Sequence, residues 1–380
     1  MHIKLLETDE RLPYLDKEFL HIRPLSIHEV NNSVIRRLSI EEQNRILFPL
    51  LVDEPAGAYP RFNTDDCLYS IARNPIYNIL PDLQNIPKNI NFDSITDNRA
   101  IELIHYAKNY DKIYLFWSGG IDSTVILCSL IKNLDRDTLA KVVVVLNGLS
   151  VIENPNMYYT HIHKKLKTEN TDNFFNGTIR LANDAIYLTG DTADAIMGYS
   201  NLSKFDLQYP QSFLKPWKTQ VDILVKYFNS IFAYEYIVDS LHKNKIEVDT
   251  VYDFLWWITF NWGYDVELYF STWVYSLFPE EEDLQQFLEK NCFTFFNTLE
   301  YQQWSVSAIG TSWKIRDAAS TNKFAFKKYI FDFNKDIAYF DTKLKEASIP
   351  KNAQFKQGNR FIGIDTDYYI YFREFGKKFG

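Results

Sequence analysis

The chain reads as an α/β protein: a doubly wound parallel sheet with a mostly helical C-terminal region and a small N-terminal α+β region. Three observations predict this. From Lys112 onward, apolar runs of strand length alternate with helical periodicity. One run, Lys141 to Leu146 (KVVVVL), is dominated by β-branched valines and reads as a central strand buried on both faces. Another, over 112–117, leads straight into the glycine turn Ser118-Gly119-Gly120 and then into a helical pattern. Strands alternating with helices imply right-handed crossovers, and ligands then bind at the carboxyl ends of the strands.

The elements follow in order. Residues 1–96 are mixed, with Pro24, Pro49, Pro55 and Pro60 between short apolar runs, and 74–95 read as a surface linker rich in Pro and Asn. Thr96-Asp97 is the expected cap of a helix over 98–109, with Ile101, Leu103, Ile104 and Tyr106 facing the core. A strand over 112–117 precedes a helix over 123–134. The valine strand ends at Asn147-Gly148, and Glu153-Asn154-Pro155 opens a crossover that looks helical over 156–167. Two more strands are expected, at Thr178–Leu181 and Ala185–Leu188. From about 205 the pattern turns helical, through Phe213–Ile231, Tyr234–His242, Val251–Trp262 and Leu284–Leu299. The aromatic run Phe254 to Trp262 reads as core between helices, with an aromatic acceptor pocket as the alternative. Acidic 279–283 is a helix-start surface run. The domains are therefore 1–96, 97–204 and 205–380.

The segment Ser118-Gly119-Gly120-Ile121-Asp122-Ser123-Thr124 carries the chemistry. Two glycines let the backbone approach a bulky anion, and the free N–H groups of a helix start favour phosphate. Ser118, Ser123 and Thr124 add hydroxyl donors. Asp122 would repel phosphate unless it holds a magnesium ion that bridges phosphate oxygens. The kinase-type phosphate loop ends in Gly-Lys-Ser/Thr, and no such tripeptide occurs in the chain. A loop without that lysine suits a grip on pyrophosphate as a leaving group.

SGGIDS resembles the pyrophosphatase loop of the N-type ATP pyrophosphatase (PP-loop) superfamily, whose members adenylate a substrate oxygen and release pyrophosphate. The segment 184–199, DAIYLTGDTADAIMGY, is similar to the asparagine synthetase pattern S/T-G-E-G-x-D-E-x-F-G-G-Y. The segment thus resembles the asparagine synthetase and β-lactam synthetase types. The resemblance implies that Asp194 shares magnesium with Asp122, and that Gly190 and Asp191 stand for the Gly-Glu beside the amine and acyl groups. It implies that Asn147 and Gly148 face adenine; a plain strand-to-helix turn is the alternative. It aligns Lys345 with a lysine that stabilises the adenylation transition state and Lys343 with the arginine before it. Lys356 is a second candidate, and a solvated lysine-rich helix end the alternative. Asp191 is one methylene shorter than the family glutamate, and Ala195 replaces the second acid of the pattern.

The expected activity is an ATP-dependent amide-forming ligase using ATP and Mg2+. Modification of a nucleobase or its precursor, and a non-catalytic ATP- or AMP-binding subunit, are the alternatives. Glutamine-dependent synthetases of this type begin with a nucleophilic cysteine after Met1, but position 2 here is His2. The amine is then free ammonia, an amino group of a substrate, or ammonia from a partner. A net charge of −8 argues against a mainly electrostatic nucleic-acid binder. Cys67, Cys128 and Cys292 form no paired pattern, which fits a reducing cytoplasm. His161 and His163 stand two apart, cannot face one another on a helix, and read as surface residues. The N-terminal segment is too charged for a signal peptide, and the longest apolar run is about half the roughly 20 residues needed to span a bilayer.

Overall fold

A computed structural model describes residues 86–87, 90–170, 184–190, 192–198, 205, 208–209, 211–228, 231–263, 290–311 and 323–343. In chain order the described elements are α1 (Phe92–Ala107), β1 (Lys112–Phe116), α2 (Ile121–Asn133), α3 (Arg136–Leu139), β2 (Val142–Leu146), α4 (Gly148–Glu153) and α5 (Pro155–Met157). Next come β3 (Lys167–Asn170), β4 (Ala185–Thr189), α6 (Ala193–Met197), α7 (Val221–Phe228), α8 (Ile231–Lys243) and α9 (Val251–Ile258). The chain continues with β5 (Cys292–Thr294), α10 (Leu299–Ser307), α11 (Phe324–Asn334) and α12 (Ile337–Thr342). They fall into two compact units. One holds the described residues within Pro87–Ala193 and Phe270–Gln357, the other Ile86 and the described residues within Asp194–Tyr269.

The first unit is α/β. Its five strands run in the order β3-β2-β1-β4-β5, and every pairing is parallel. Ile113 pairs with Val142 on one side and Ile186 on the other, so β1 lies at the centre. β2 and β3 lie on one side of β1, and β4 and β5 on the other. All five residues of β2 are buried, as the valine run predicts. The edge strand β3, Lys-Thr-Glu-Asn, is exposed throughout, a charged edge that discourages pairing with other chains.

The helix over 98–109 is longer than expected, and its cap differs. Asn91 is the N-cap, its side-chain oxygen accepting from Ser94 N at 2.8 Å. The extra turn is anchored by Phe92, whose ring lies 4.8 Å from Trp304 and 5.0 Å from Phe326. The buried face is Phe92, Thr96, Ala100, Leu103 and Ala107, a four-four-three-four spacing. Leu103 is core as expected, whereas Ile104 is half-buried and Ile101 and Tyr106 are exposed. Asp97 caps nothing. Its carboxylate accepts from Lys132 Nζ at 2.6 Å, Asn133 Nδ2 at 2.8 Å and Tyr329 Oη at 2.5 Å, joining α1, α2 and α11.

Other boundaries shift for local reasons. The crossover expected to be helical over 156–167 holds only α5 and a π-type turn, Tyr158–Ile162, before β3 begins at Lys167. The helix expected over Phe213–Ile231 is a short 3-10 turn after Pro216, then α7. Within the helix expected over Leu284–Leu299 lies β5, which pairs with β4 through Tyr187 and Cys292. Its Cys-Phe-Thr sequence suits a strand. Arg99 fixes its end, donating to Thr294 O and Phe295 O at 3.2 and 3.1 Å. The strand expected at Thr178–Leu181, the acidic run 279–283 and the N-terminal prolines lie outside the described residues.

The second unit is helical in its described parts. Phe254, Leu255, Trp256, Trp257, Ile258 and Phe260 are fully buried, so this part of the aromatic run is core rather than pocket lining. It also finishes α6: Trp256 Nε1 donates to Ile196 O at 3.1 Å, and Tyr252 Oη to Met197 O at 2.7 Å. These bonds satisfy carbonyls that a helix end leaves open. Gly198 follows with φ +74°, so close to Trp256 that an added Cβ would lie 2.8 Å from its Cα. No helix among the described residues is long and apolar enough to cross a membrane.

Candidate functional site

The turn after β1 is built around one left-handed glycine. Gly119 has φ +77°, and a Cβ there would meet Ser150 O at 2.3 Å and Glu153 Cβ at 2.8 Å. The glycine is therefore required both by its backbone angle and by the approach of α4. Ser118 and Ser123 lace the turn. Ser118 N donates to Ser123 Oγ at 3.2 Å, and Gly120 N to Ser118 Oγ at 3.3 Å. Trp117 is buried below, its indole N–H donating to Thr124 Oγ1 at 3.1 Å. Gly120 is the N-cap of α2, with no side-chain cap bond. A thirteen-residue helix thus starts at the carboxyl edge of the central strand without a side-chain acceptor on its first amides, which favours an anion.

The turn after β4 meets it there. A Cβ on Gly190 would lie 3.4 Å from Asp122 Cβ and 3.7 Å from Ser123 N. Two segments about seventy residues apart in sequence are thereby adjacent, after the neighbouring strands β1 and β4. Thr192 follows at φ +68°, an uncommon angle for a β-branched residue, in a place where the synthetase pattern has glycine. Thr192 is fully buried, and its hydroxyl has no hydrogen-bond partner. Asp191 lies outside the described residues. Asp194 stands in the first turn of α6, immediately after the division between the two units.

The loop after β2 contributes structure first. Asn147 caps α4, its Oδ1 accepting from Ser150 N at 2.9 Å, while Ser150 Oγ accepts from Asn147 N at 3.2 Å. Gly148 is exposed, with open space around it. Asn154 and Pro155 then start α5, the ordinary use of Asn as cap and Pro at the first helical position.

Two lysines reach this region from the distant C-terminal segment. Lys323, at the N-cap of α11, places its ammonium 2.6 and 2.8 Å from the two carboxylate oxygens of Asp122. The Lys323 side chain is 5% exposed and that of Asp122 28%. Lys343, just past α12, donates to Glu153 Oε1 at 2.8 Å and to Glu153 O at 2.6 Å. Both side chains are buried, and Glu153 lies directly behind Gly119. Tyr339 lies one turn earlier, and burial pushes its hydroxyl well above the ordinary tyrosine range, beside Thr124. Lys345 and Lys356 lie outside the described residues.

The structure therefore groups Ser118, Gly119, Gly120, Asp122, Ser123, Thr124 and Gly190, with Asn147 capping the adjoining helix. Sequence reasoning gave no role to Lys323 or Glu153. The one signal for Lys323 was its place in a lysine-rich stretch; Glu153 had no signal beyond an acid next to Asn-Pro. Among the described residues no group of three or more His, Cys, Asp or Glu is placed to hold a metal. Asp122 is a carboxylate beside the anion-favouring amides, and a single carboxylate completed by phosphate oxygens is a donor set that magnesium accepts. Cys128 is buried and its thiol pKa is pushed far up by desolvation, so it is inert packing. No protein-family model, curated protein or solved structure matches the chain.

Proposed function

We propose that the protein is an ATP-dependent, amide-forming ligase of the asparagine synthetase type, built on a doubly wound PP-loop core. The observation that carries this reading is the contact of the Gly190 turn with Asp122 and Ser123 at the start of α2. It joins an anion-binding helix end to the segment that resembles the synthetase acyl site. The strand order, with its reversal between β1 and β4, supports the doubly wound form.

In this reading the pyrophosphate portion of ATP lies on the amides of Gly119 to Ser123, with Ser118 and Ser123 as hydroxyl donors; Thr124, expected as a third, is fully buried with its hydroxyl engaged by Trp117 and packs the base of the turn. A substrate carboxylate binds beside the α-phosphate, next to the β4 turn. That carboxylate attacks the α-phosphorus and pyrophosphate leaves, giving an acyl-adenylate. An amine then attacks the acyl carbon and AMP leaves. Asp191 orients or deprotonates the amine. Lysine charge from the C-terminal segment neutralises the phosphate oxygens as charge grows on them. Lys345 keeps that role as a proposal; Lys343 sits on Glu153 and acts in holding the loop. Asp122 would hold magnesium, which supplies charge neutralisation on the phosphates.

Exchange of labelled pyrophosphate into ATP, in the presence of candidate carboxylates, tests the proposal. The wild-type protein should exchange, and Asp122→Ala should lose exchange by at least about a hundredfold. Full exchange in Asp122→Ala removes the role given to that carboxylate. Nucleotide binding with no turnover on any carboxylate, deazapurine or RNA would favour a sensor.

A further inference from the structure

The Lys323 ammonium sits where a cation would sit on Asp122. It reaches both carboxylate oxygens, at 2.6 and 2.8 Å, and so covers the face that a metal ion would share. The lysine is held there by more than its charge. Its side chain is buried, and its backbone is left-handed, with φ 54°. It opens α11, which packs along α2, the helix that carries Asp122. Lys327 N donates to Lys323 O at 3.0 Å, tying the lysine into the first turn of α11.

We infer that Lys323 is an internal substitute for the divalent cation, so that the site accepts a metal only together with a polyphosphate. This rests on reading Asp122 as the cation-binding carboxylate. A dication arriving alone meets an ammonium already on its ligand. Both cannot share the carboxylate without strong repulsion, and a displaced ammonium with no new partner would remain poorly solvated. A polyphosphate changes this balance. Its oxygens, lying on the α2 amides one residue from Asp122, give the ammonium a new anion. Asp122 is then released to the metal that the phosphates bring with them. The protein thereby avoids a tightly held metal in the absence of nucleotide. Metal and nucleotide become coupled ligands, each raising the affinity for the other.

Manganese(II), followed through the electron paramagnetic resonance signal of the free ion, tests this without substrate or turnover. Wild-type protein should bind bare Mn2+ weakly. Lys323→Met and Lys323→Gln should bind it at least about tenfold more tightly, a gain abolished by adding Asp122→Ala. Wild-type protein should take up Mn2+ when pyrophosphate is present. Thermal melts establish that the variants are folded. If they are not, the wild-type protein alone decides: tight binding of bare Mn2+ that is lost in Asp122→Ala overturns the inference. Equal affinity of wild type and folded Lys323 variants for bare Mn2+ also overturns it. Failure here leaves the ligase reading standing. Absence of adenylation on any carboxylate, with the manganese result intact, removes the ligase reading alone.

Discussion

At the scale of single residues, two buried lysines dominate the region around the phosphate-type loop, and they do different work. Lys323 faces Asp122, which is partly open to solvent. Lys343 and Glu153 are both buried, and the lysine also binds the Glu153 backbone carbonyl. A buried pair of this kind adds little over an apolar pair of equal volume, but removing one partner strands a charge. Lys343→Met should therefore lower stability by about 3–5 kcal/mol, and Glu153→Met by a similar amount. The double replacement Lys343→Met with Glu153→Met should recover much of that loss. Urea denaturation of the four proteins measures it; additive losses would show that the two groups do not act as a pair. Neither lysine's partner was legible in the sequence. The resemblance aligned Lys343 with an arginine near the phosphates, yet where an ammonium lands depends on how α12 follows α11 and on what lies behind Gly119. By contrast Gly119 was legible as a residue, because a left-handed turn between a strand and a helix admits little else.

At the scale of elements, the packing of α1, α2 and α11 converges on Asp97. Burial alone would raise the pKa of this carboxyl. Hydrogen bonds from Lys132, Tyr329 and Asn133 outweigh that, and the net effect is to hold it below its ordinary value. A carboxylate whose pKa is depressed by folding stabilises the native state above the unfolded-state pKa, near 3.8, and loses that contribution as pH falls through the lower folded value. Asp97→Asn should thus be less stable than wild type at pH 7, with the difference shrinking below about pH 4. Chemical denaturation at pH 7 and pH 3 reads this; a difference that persists undiminished at pH 3 would refute the charge-based account. The elements themselves were legible in proportion to how local their signals are. The valine strand, the turn after β1, the strand before Thr189 and the buried aromatic helix α9 all announce themselves by composition. The start of α1 did not, because its position is set by Phe92 packing on Trp304 and Phe326, more than two hundred residues away. Nor did β5, three residues long, whose strand character comes from pairing with Tyr187, Leu188 and Thr189.

At the scale of the whole molecule, the α/β unit is assembled from two stretches of chain, Pro87–Ala193 and Phe270–Gln357, separated in sequence by residues of the other unit. The central strand, its glycine turn and the start of α2 come from the first stretch. The lysines that reach Asp122 and Glu153 come from the second. The candidate site therefore exists only when both stretches have folded together, and no local pattern could have revealed its full membership. What the sequence did carry was the residues of the loop: two glycines, three hydroxyls and an aspartate, with no kinase-type lysine. Under the proposed function, that combination fixes which bond of ATP is broken. Phosphorus NMR of ATP incubated with the protein, magnesium and a low-molecular-weight cell extract measures it most directly. The account predicts AMP and pyrophosphate in equal amounts, dependent on Asp122; ADP and orthophosphate as the Asp122-dependent products would contradict it.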